Sequence, residues 1–321
     1  MKSKSIVTLT LNPTVDKSTS VDKIVPEHKL RCAAPKFEPG GGGINVSRAL
    51  RRLGSDSMAV FPAGGPIGSL LQHLLTEEGI AQQLIETVSW TRENFIVVDN
   101  SSNQQYRFGM PGRELSLAEQ QRVLDVLKAI SPRPEFLVIS GSLPPGVEPD
   151  FLVTIVRAAN QAGVKVVADT SGPALERLVE AGGLYLIKPN LGELCKLVRL
   201  PELDSACVAG AARELIGDGK CTLVVASMGP QGACLVSQEL VDHVPAPAVK
   251  KRSTVGAGDS MVAGMVHALS AGLPLREVVR MGVACGTAAT MNPGTELFRK
   301  SDVDKLYNWL LQTMPMVNAV S

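Results

Sequence analysis

Ser253-Thr254-Val255-Gly256-Ala257-Gly258-Asp259-Ser260 is the stretch that decides the fold. A polar, basic, proline-containing segment, Pro245 to Arg252, precedes it. After it, Val262, Met265, Val266 and Leu269 recur at helical spacing. The Gly-Ala-Gly-Asp run therefore marks a loop turning into a helix. Backbone N–H groups at a helix start lack partners and carry partial positive charge. Glycine lets a ligand come close to that backbone, so Gly256, Ala257 and Gly258 make a cradle for an oxyanion, above all a phosphate. Asp259 adds a carboxylate beside the cradle. Mere phosphate binding gains nothing from a second negative charge. Transfer of phosphate to a hydroxyl needs a base at that point. A plainer reading makes Gly258 a helix-start glycine and Asp259 an N-terminal helix charge, and the stretch alone supports both equally.

Working outward, a second glycine run feeds a second helix start: Pro39-Gly40-Gly41-Gly42-Gly43-Ile44-Asn45-Val46-Ser47-Arg48-Ala49-Leu50-Arg51-Arg52-Leu53-Gly54. Four consecutive glycines are costly to order unless the backbone itself is used. Val46, Ala49, Leu50 and Leu53 give the helical stripe, and Gly54 ends it. The run has neither the Walker spacing nor that of a dinucleotide fingerprint. Upstream, Ile6 to Leu11 reads as a strand, stopped by Asn12-Pro13. Asp16 then lies just past a strand end, where α/β proteins put ligand groups, although a turn Asp is the plainer reading. Lys29 and Arg31 share one face if their segment is extended, which suits gripping a phosphate or protecting a solvated edge strand.

Between the glycine runs, strand and helix signals alternate. Strands are expected at Ser57 to Pro62, Phe136 to Ser140, Val164 to Asp169, Tyr185 to Lys188 and Leu223 to Ser227. Such alternation means a parallel sheet covered on both faces, with polar strand ends converging on one crevice. Phe95 to Val98 and Gln105 to Phe108 flank a polar turn and read as a hairpin outside that sheet. The closing stretch, Leu275 to Thr290 and Asp302 to Leu311, reads as helical.

Composition narrows the class. Lys and Arg number 32 against 31 Asp and Glu, so no basic excess argues for nucleic acid and no acidic tail for a solvating segment. No apolar run is long enough for a bilayer span. The short apolar run after Met1-Lys2-Ser3-Lys4 reads as a buried strand, with no signal peptide. Cys32, Cys195, Cys207, Cys221, Cys234 and Cys285 show no C-x-x-C spacing, so buried thiols in a reducing cytoplasm are expected, not disulfides or zinc.

Together these features resemble the PfkB family of the ribokinase superfamily, across nearly the whole chain. Gly40 to Ala49 looks like that family's N-terminal glycine motif, Ser253 to Asp259 its C-terminal anion-hole motif, and Asn190-Leu191-Gly192-Glu193 its N-x-x-E element. The resemblance implies a single three-layer α/β domain, 1–321. It also implies a small β-sheet lid from about 15–38 and 91–110, and a cytoplasmic homodimer paired through that lid. It implies ATP-dependent phosphorylation of the C1 hydroxyl of fructose 6-phosphate. The alternatives are fructose 1-phosphate or tagatose 6-phosphate as acceptor, or a non-catalytic sugar-phosphate sensor, which would not need Asp259 and Glu193. Relatives acting on those two acceptors carry Gly-Gly-Lys-Gly at the loop, where this chain has Gly42. Asp259 is the implied base, with the N–H groups of Gly256, Ala257 and Gly258 on the transferred group. Thr14, Asp16, Gly41, Gly42, Gly43, Asn45 and Ser142 are implied around the sugar, and Lys29, Arg31 and Arg92 on its existing phosphate. Lys188, Asn190, Ser227, Met228, Gly229, Pro230, Gln231, Gly232, Lys251, Val283 and Thr287 are implied at the nucleotide. Asn190 and Glu193 are implied to organise Mg²⁺ through water. Backbone carbonyls around Ser253, Val255, Ala289, Asn292 and Gly294 are implied to hold K⁺, with no side-chain role expected of Ser253. A dinucleotide-dependent oxidoreductase is excluded, because Asn12-Pro13 stands where its glycine fingerprint belongs.

Overall fold

The computed structural model describes residues 5–202, 204–292, 294 and 296–314. Met1 to Lys4, on which the leader reading rests in part, lie outside the described residues. The strands are β1 (Ile6–Leu9), β2 (Thr14–Val21), β3 (Lys36–Gly40), β4 (Ser57–Ala63), β5 (Ala81–Glu86), β6 (Arg92–Asp99), β7 (Gln104–Phe108), β8 (Phe136–Ser140), β9 (Lys165–Asp169), β10 (Leu184–Ile187), β11 (Cys221–Ser227), β12 (Ala233–Val236) and β13 (Val241–Val244). The helices are α1 (Gly42–Leu53), α2 (Gly65–Glu77), α3 (Leu117–Ala129), α4 (Pro149–Gln161), α5 (Gly172–Ala181), α6 (Leu191–Leu197), α7 (Val208–Gly217), α8 (Ala257–Ser270), α9 (Leu275–Thr290) and α10 (Lys300–Thr313).

The large sheet runs β13-β12-β11-β10-β9-β8-β1-β4-β5, parallel from β11 to β5. Its central strands read as unbroken apolar runs because both faces are covered, and every residue of Phe136–Ser140 is buried. One face is sealed by the side of the core built on α3 to α7, the other by α1, α8, α9 and α10. The expected α/β class and covered parallel sheet are what the chain forms. The antiparallel pair β12 and β13 was not expected. Their four-residue strands are joined by a short turn and carry no helix between them.

Chain order reverses between β1 and β8: from β1 the chain builds toward β5, then returns to start β8 on the other side. Such a switch opens a crevice at the carboxyl ends of the strands. The register aligns those ends, pairing Leu9 with Val60 and Ile139, and Ser140 with Asp169. Helix α1 crosses this crevice. Its Val46, Ala49 and Leu50 are fully buried, and Gly54, at φ 87°, ends it in the left-handed region that glycine tolerates. Leu50→Ala would cost roughly 2–5 kcal/mol, because the surrounding core cannot close around the void.

A second sheet, β3-β2-β6-β7, stands over the crevice. Asp16 lies past the end of β1 and inside β2, opposite Glu38 of β3 and Asn94 of β6, so the plainer reading of a turn Asp does not hold. The first strand ends at Leu9, and directly after Pro13 the chain enters the second sheet with Thr14. The extended Lys29–Arg31 segment is not formed either. Residues 22–35 are an irregular connection, Pro26 and Pro35 interrupt it, and Glu27 takes φ 61° in a turn.

Candidate active site

Helix α8 begins at the crevice. Gly256 caps it at φ 69°, a conformation that costs glycine little and other residues more. A Cβ at Gly258 would stand 3.4 Å from Lys188 Nζ, so a bare backbone faces that ammonium. First-turn N–H groups have no helical acceptor, so this end of α8 presents donors and a partial positive charge. Among the described residues, Asp259 sits in that first turn with partners from two other elements. Asn45 Nδ2, on α1, donates to Asp259 Oδ2 at 2.9 Å. Ser140 Oγ, at the end of β8, donates to Asp259 Oδ1 at 3.4 Å.

Burial and the nearby Asp169 carboxylate push Asp259 up to about 6, against Asn45, Lys188 and Ser140, which favour its charge. A carboxylate poised there ionises at neutral pH yet accepts a proton readily. Lys188 Nζ lies 3.1 Å from Asp169 Oδ1. Burial pulls the Lys188 ammonium down, but Asp169, with Asp259 and Glu193, outweighs it and leaves the group above its usual value. Asp169 is a site residue the sequence reading passed over, though it had been placed at a strand end. Its only signal was that position.

The glycine run uses its backbone. A Cβ on Gly42 would collide with Ser140 Oγ and stand 2.6 Å from Gly141 N. One on Gly43 would meet Leu9 O at 2.6 Å. Gly41, at φ 115°, caps α1. The turn from lid to helix thus lies directly on the ends of β1 and β8.

On the lid side, Asp16 is buried, and Asn94 Nδ2 donates to its Oδ1 at 2.9 Å. Burial raises the Asp16 carboxyl, while Asn94 and the Arg92 and Arg48 cations oppose the shift and Glu38 adds to it. Arg92 donates to Met110 O at 2.8 Å and Asn12 O at 3.0 Å, tying the small sheet to the turn after β1. Thr14 is buried and donates to Arg92 O at 3.3 Å. Ser142 accepts from Asn12 Nδ2 at 3.2 Å. Lys29 and Arg31 are exposed on the irregular connection between β2 and β3.

On the other side of α8 lies a cleft lined by Ser227, Gly229, Pro230, Gly232, Lys251, Val283 and Thr287, with Ala257 and Gly258 of the cradle. These expected nucleotide residues are brought together. Met228 is not among them: it is 4 % exposed and packs in the core. Gln231 instead accepts a hydrogen bond from Ser205 at 2.9 Å. The sequence reading missed Ala246, Pro247, Val249, Thr254, Met261, Gly286 and Thr290, which complete the lining. The apolar members of the segment before α8 were the available signal.

Asn190 and Glu193 form a capping box on α6: Glu193 N donates to Asn190 Oδ1 at 2.9 Å, and Asn190 N to Glu193 Oε2 at 2.8 Å. Among the described residues, no three His, Cys, Asp or Glu side chains converge on a direct metal site. Ser253 does have a side-chain role. Its Oγ donates to Gly294 O at 2.8 Å and accepts from Val255 N at 3.2 Å. Arg252 N and Ser253 N donate to Thr290 O, and Asn292 Nδ2 donates to the carbonyls of Ala288 and Leu297. The segment before α8 is thereby stitched to the end of α9, where Ala289 is fully buried.

A ribokinase from Thermotoga maritima superposes with a TM-score of 0.75 at 22% identity, covering 95% of this chain and 99% of that one. That likeness shows the ribokinase-like three-layer fold. The model of the pfkB family carbohydrate kinases matches residues 6–301, and the chain belongs to that family. Among its relatives, the ATP-dependent 6-phosphofructokinase isozyme 2 of Escherichia coli (strain K12) is 46% identical over 309 residues, 95% of this chain and 98% of the relative. Phosphofructokinase-2 from Escherichia coli, solved in complex with potassium, gives a TM-score of 0.92 at 45% identity over 96% of this chain and 99% of that one. Its complex with fructose-6-phosphate gives 0.90 at 44%, with the same coverage.

Proposed function

We propose that the chain transfers the γ-phosphoryl group of ATP to the C1 hydroxyl of fructose 6-phosphate, the reaction of a glycolytic 6-phosphofructokinase. One observation carries this reading. Asp259, raised toward neutrality and held by Asn45 and Ser140, stands at the N-terminus of α8 between the nucleotide cleft and the lid. The acceptor hydroxyl approaches Asp259, which takes its proton as the oxygen attacks phosphorus. Donors at the start of α8 and the Lys188 ammonium stabilise charge spreading over the transferred oxygens. Asp16 and Asn45 hold sugar hydroxyls, and Arg92, Lys29 and Arg31 meet the phosphate already on the sugar. A bare sugar would bring these three cations no anion to pair with.

Mg²⁺ bound with the nucleotide would supply charge neutralisation for the transfer, with Asn190 and Glu193 as the residues that would hold its water shell. The capping box already uses part of the Asn190 and Glu193 side chains, which suits contact with the ion's water shell better than direct ligation. Backbone carbonyls at Ser253, Val255, Ala289, Asn292 and Gly294 would hold K⁺. Phe37, Tyr106 and Phe108 are exposed on the small sheet and support pairing of two lids in a homodimer. In that state the lid excludes water from the transfer and limits ATP hydrolysis.

The test is an ADP-release assay across fructose 6-phosphate, fructose 1-phosphate and tagatose 6-phosphate. Fructose 6-phosphate is expected to give the highest kcat/KM. Preference for fructose 1-phosphate would overturn the acceptor while leaving the kinase standing.

A further inference from the structure

The small sheet, helix α2 and the base share one buried side chain, that of Arg48. It lies in the second turn of α1 and is 2 % exposed. Nε donates to Glu78 Oε1 at 3.0 Å and Oε2 at 2.8 Å, and Nη2 donates to Glu78 Oε1 at 2.6 Å. Glu78 is the residue that closes α2. Nη1 donates to the carbonyl of Pro39, in β3, at 2.9 Å and to Asn45 Oδ1 at 3.4 Å. Nη2 also stands 3.8 Å from Glu38 Oε1. A buried guanidinium needs such partners, and its planar fork holds them in fixed directions.

Asn45 lies three residues before Arg48, so the two side chains share a face of α1. The Asn45 amide has an acceptor end and a donor end. The acceptor end meets Arg48, and the donor end meets Asp259 at 2.9 Å. Rotated by half a turn, the amide would set oxygen against carboxylate and NH₂ against guanidinium. Both contacts would then be repulsive. The guanidinium therefore fixes which end of Asn45 faces the base.

We propose that Arg48 is a positioning residue for phosphoryl transfer: clamped by Glu78 and Pro39, it sets the Asn45 amide so that Asp259 is held aimed at the acceptor hydroxyl. This rests on the reading of Asp259 as the base. The charged groups facing Asp259 are Asp169 from β9 and Lys188 from the end of β10. Those facing Arg48 are Glu78 from α2, Glu38 from β3, Asp16 from β2 and Arg52 from α1.

The experiment compares Arg48→Lys, Glu78→Gln and Asp259→Asn with the parent enzyme. It measures kcat and both KM values from about pH 5 to about pH 9. Arg48→Lys keeps the charge and loses the fork. It is expected to lower kcat by about 10- to 100-fold, as for a misaimed catalytic group, with KM for ATP unchanged. The acidic limb of kcat is expected to move to higher pH, because Asp259 loses a donor that favours its charge. Glu78→Gln, at a half-exposed position, is expected to move the limb the same way by less. A merely structural Arg48 would lower the active fraction and leave the limb in place. A parent-like limb in Arg48→Lys overturns the proposal. Should that variant fail to fold, an unmoved limb in Glu78→Gln overturns it instead. Asp259→Asn separates the two ideas. Retained turnover there would remove the base itself. An inactive Asp259→Asn beside a parent-like Arg48→Lys would remove only the positioning role.

Discussion

Lys188 and Asp169 form an ion pair of 3.1 Å beside the first turn of α8, so the cradle for the transferred group has a cation and an anion in its wall. Burial is the main reason the Asp259 carboxyl is raised, and the field of Asp169, neutralised in part by the pair, adds to it. A Lys188→Met variant would free that field. Its acidic limb is expected to shift upward and its kcat to fall by a factor on the order of 10²–10³, as when a stabilising charge is lost. Steady-state rates against pH check both.

Asp259→Asn is expected to keep both substrates bound and to lower kcat by about 10²–10⁴-fold, the scale of a lost general base. Single-turnover kinetics with separate binding measurements decide this. Normal turnover would show that the proton leaves by another route.

The same carboxyl predicts two opposite pH responses. Turnover needs it ionised, so kcat should rise as pH rises through about 6. Folding favours it protonated, because its folded value lies above the unfolded one. That contribution is complete below the unfolded value and lost as pH rises through about 6. Above that pH the charge is a net cost, so Asp259→Asn should raise Tm by roughly 2–4 °C at alkaline pH and hardly at all in acid. Calorimetry at both extremes tests the difference.

Gly42→Ala adds one carbon where Ser140 Oγ and Gly141 N already lie. Overpacking there should cost about 1–3 kcal/mol and push α1 away from β8. Because α1 carries Asn45, kcat should fall with stability. A variant as stable and as active as the parent would mean that the loop gives way at no cost.

Arg92→Ala should raise KM for the sugar phosphate and leave that for ATP alone, because a phosphate that does not react is held equally in ground and transition states. Loss of ATP affinity instead would move Arg92 to the other substrate.

The fold was legible because parallel, doubly covered strands read as apolar runs closed by polar residues, as in Phe136–Ser140. The two glycine-to-helix junctions were legible because nothing else explains such backbone-rich turns. Asp169 was harder to read, since a carboxylate at a strand end becomes a site residue only once Lys188 is folded against it. Asn190 and Glu193 look like ligands in sequence and cap a helix in space, because the same spacing serves both purposes. Met228 puts its side chain in the core and not on the cleft lining. A motif names consecutive residues, yet neighbours on a chain face opposite ways, and this one faces the core.

The order of elements sets a schedule for the nascent chain. Every strand of both sheets has been synthesised once Val244 has been made. At that moment, one face of the large sheet is covered by α1 alone, because α8, α9 and α10 lie further on. Val225, Leu235 and Leu223, buried in the finished molecule, have no lasting cover until those helices leave the ribosome. A chain stalled between Val244 and the start of α8 would therefore carry a complete sheet with one greasy side, the kind of surface that chaperones hold and that otherwise aggregates.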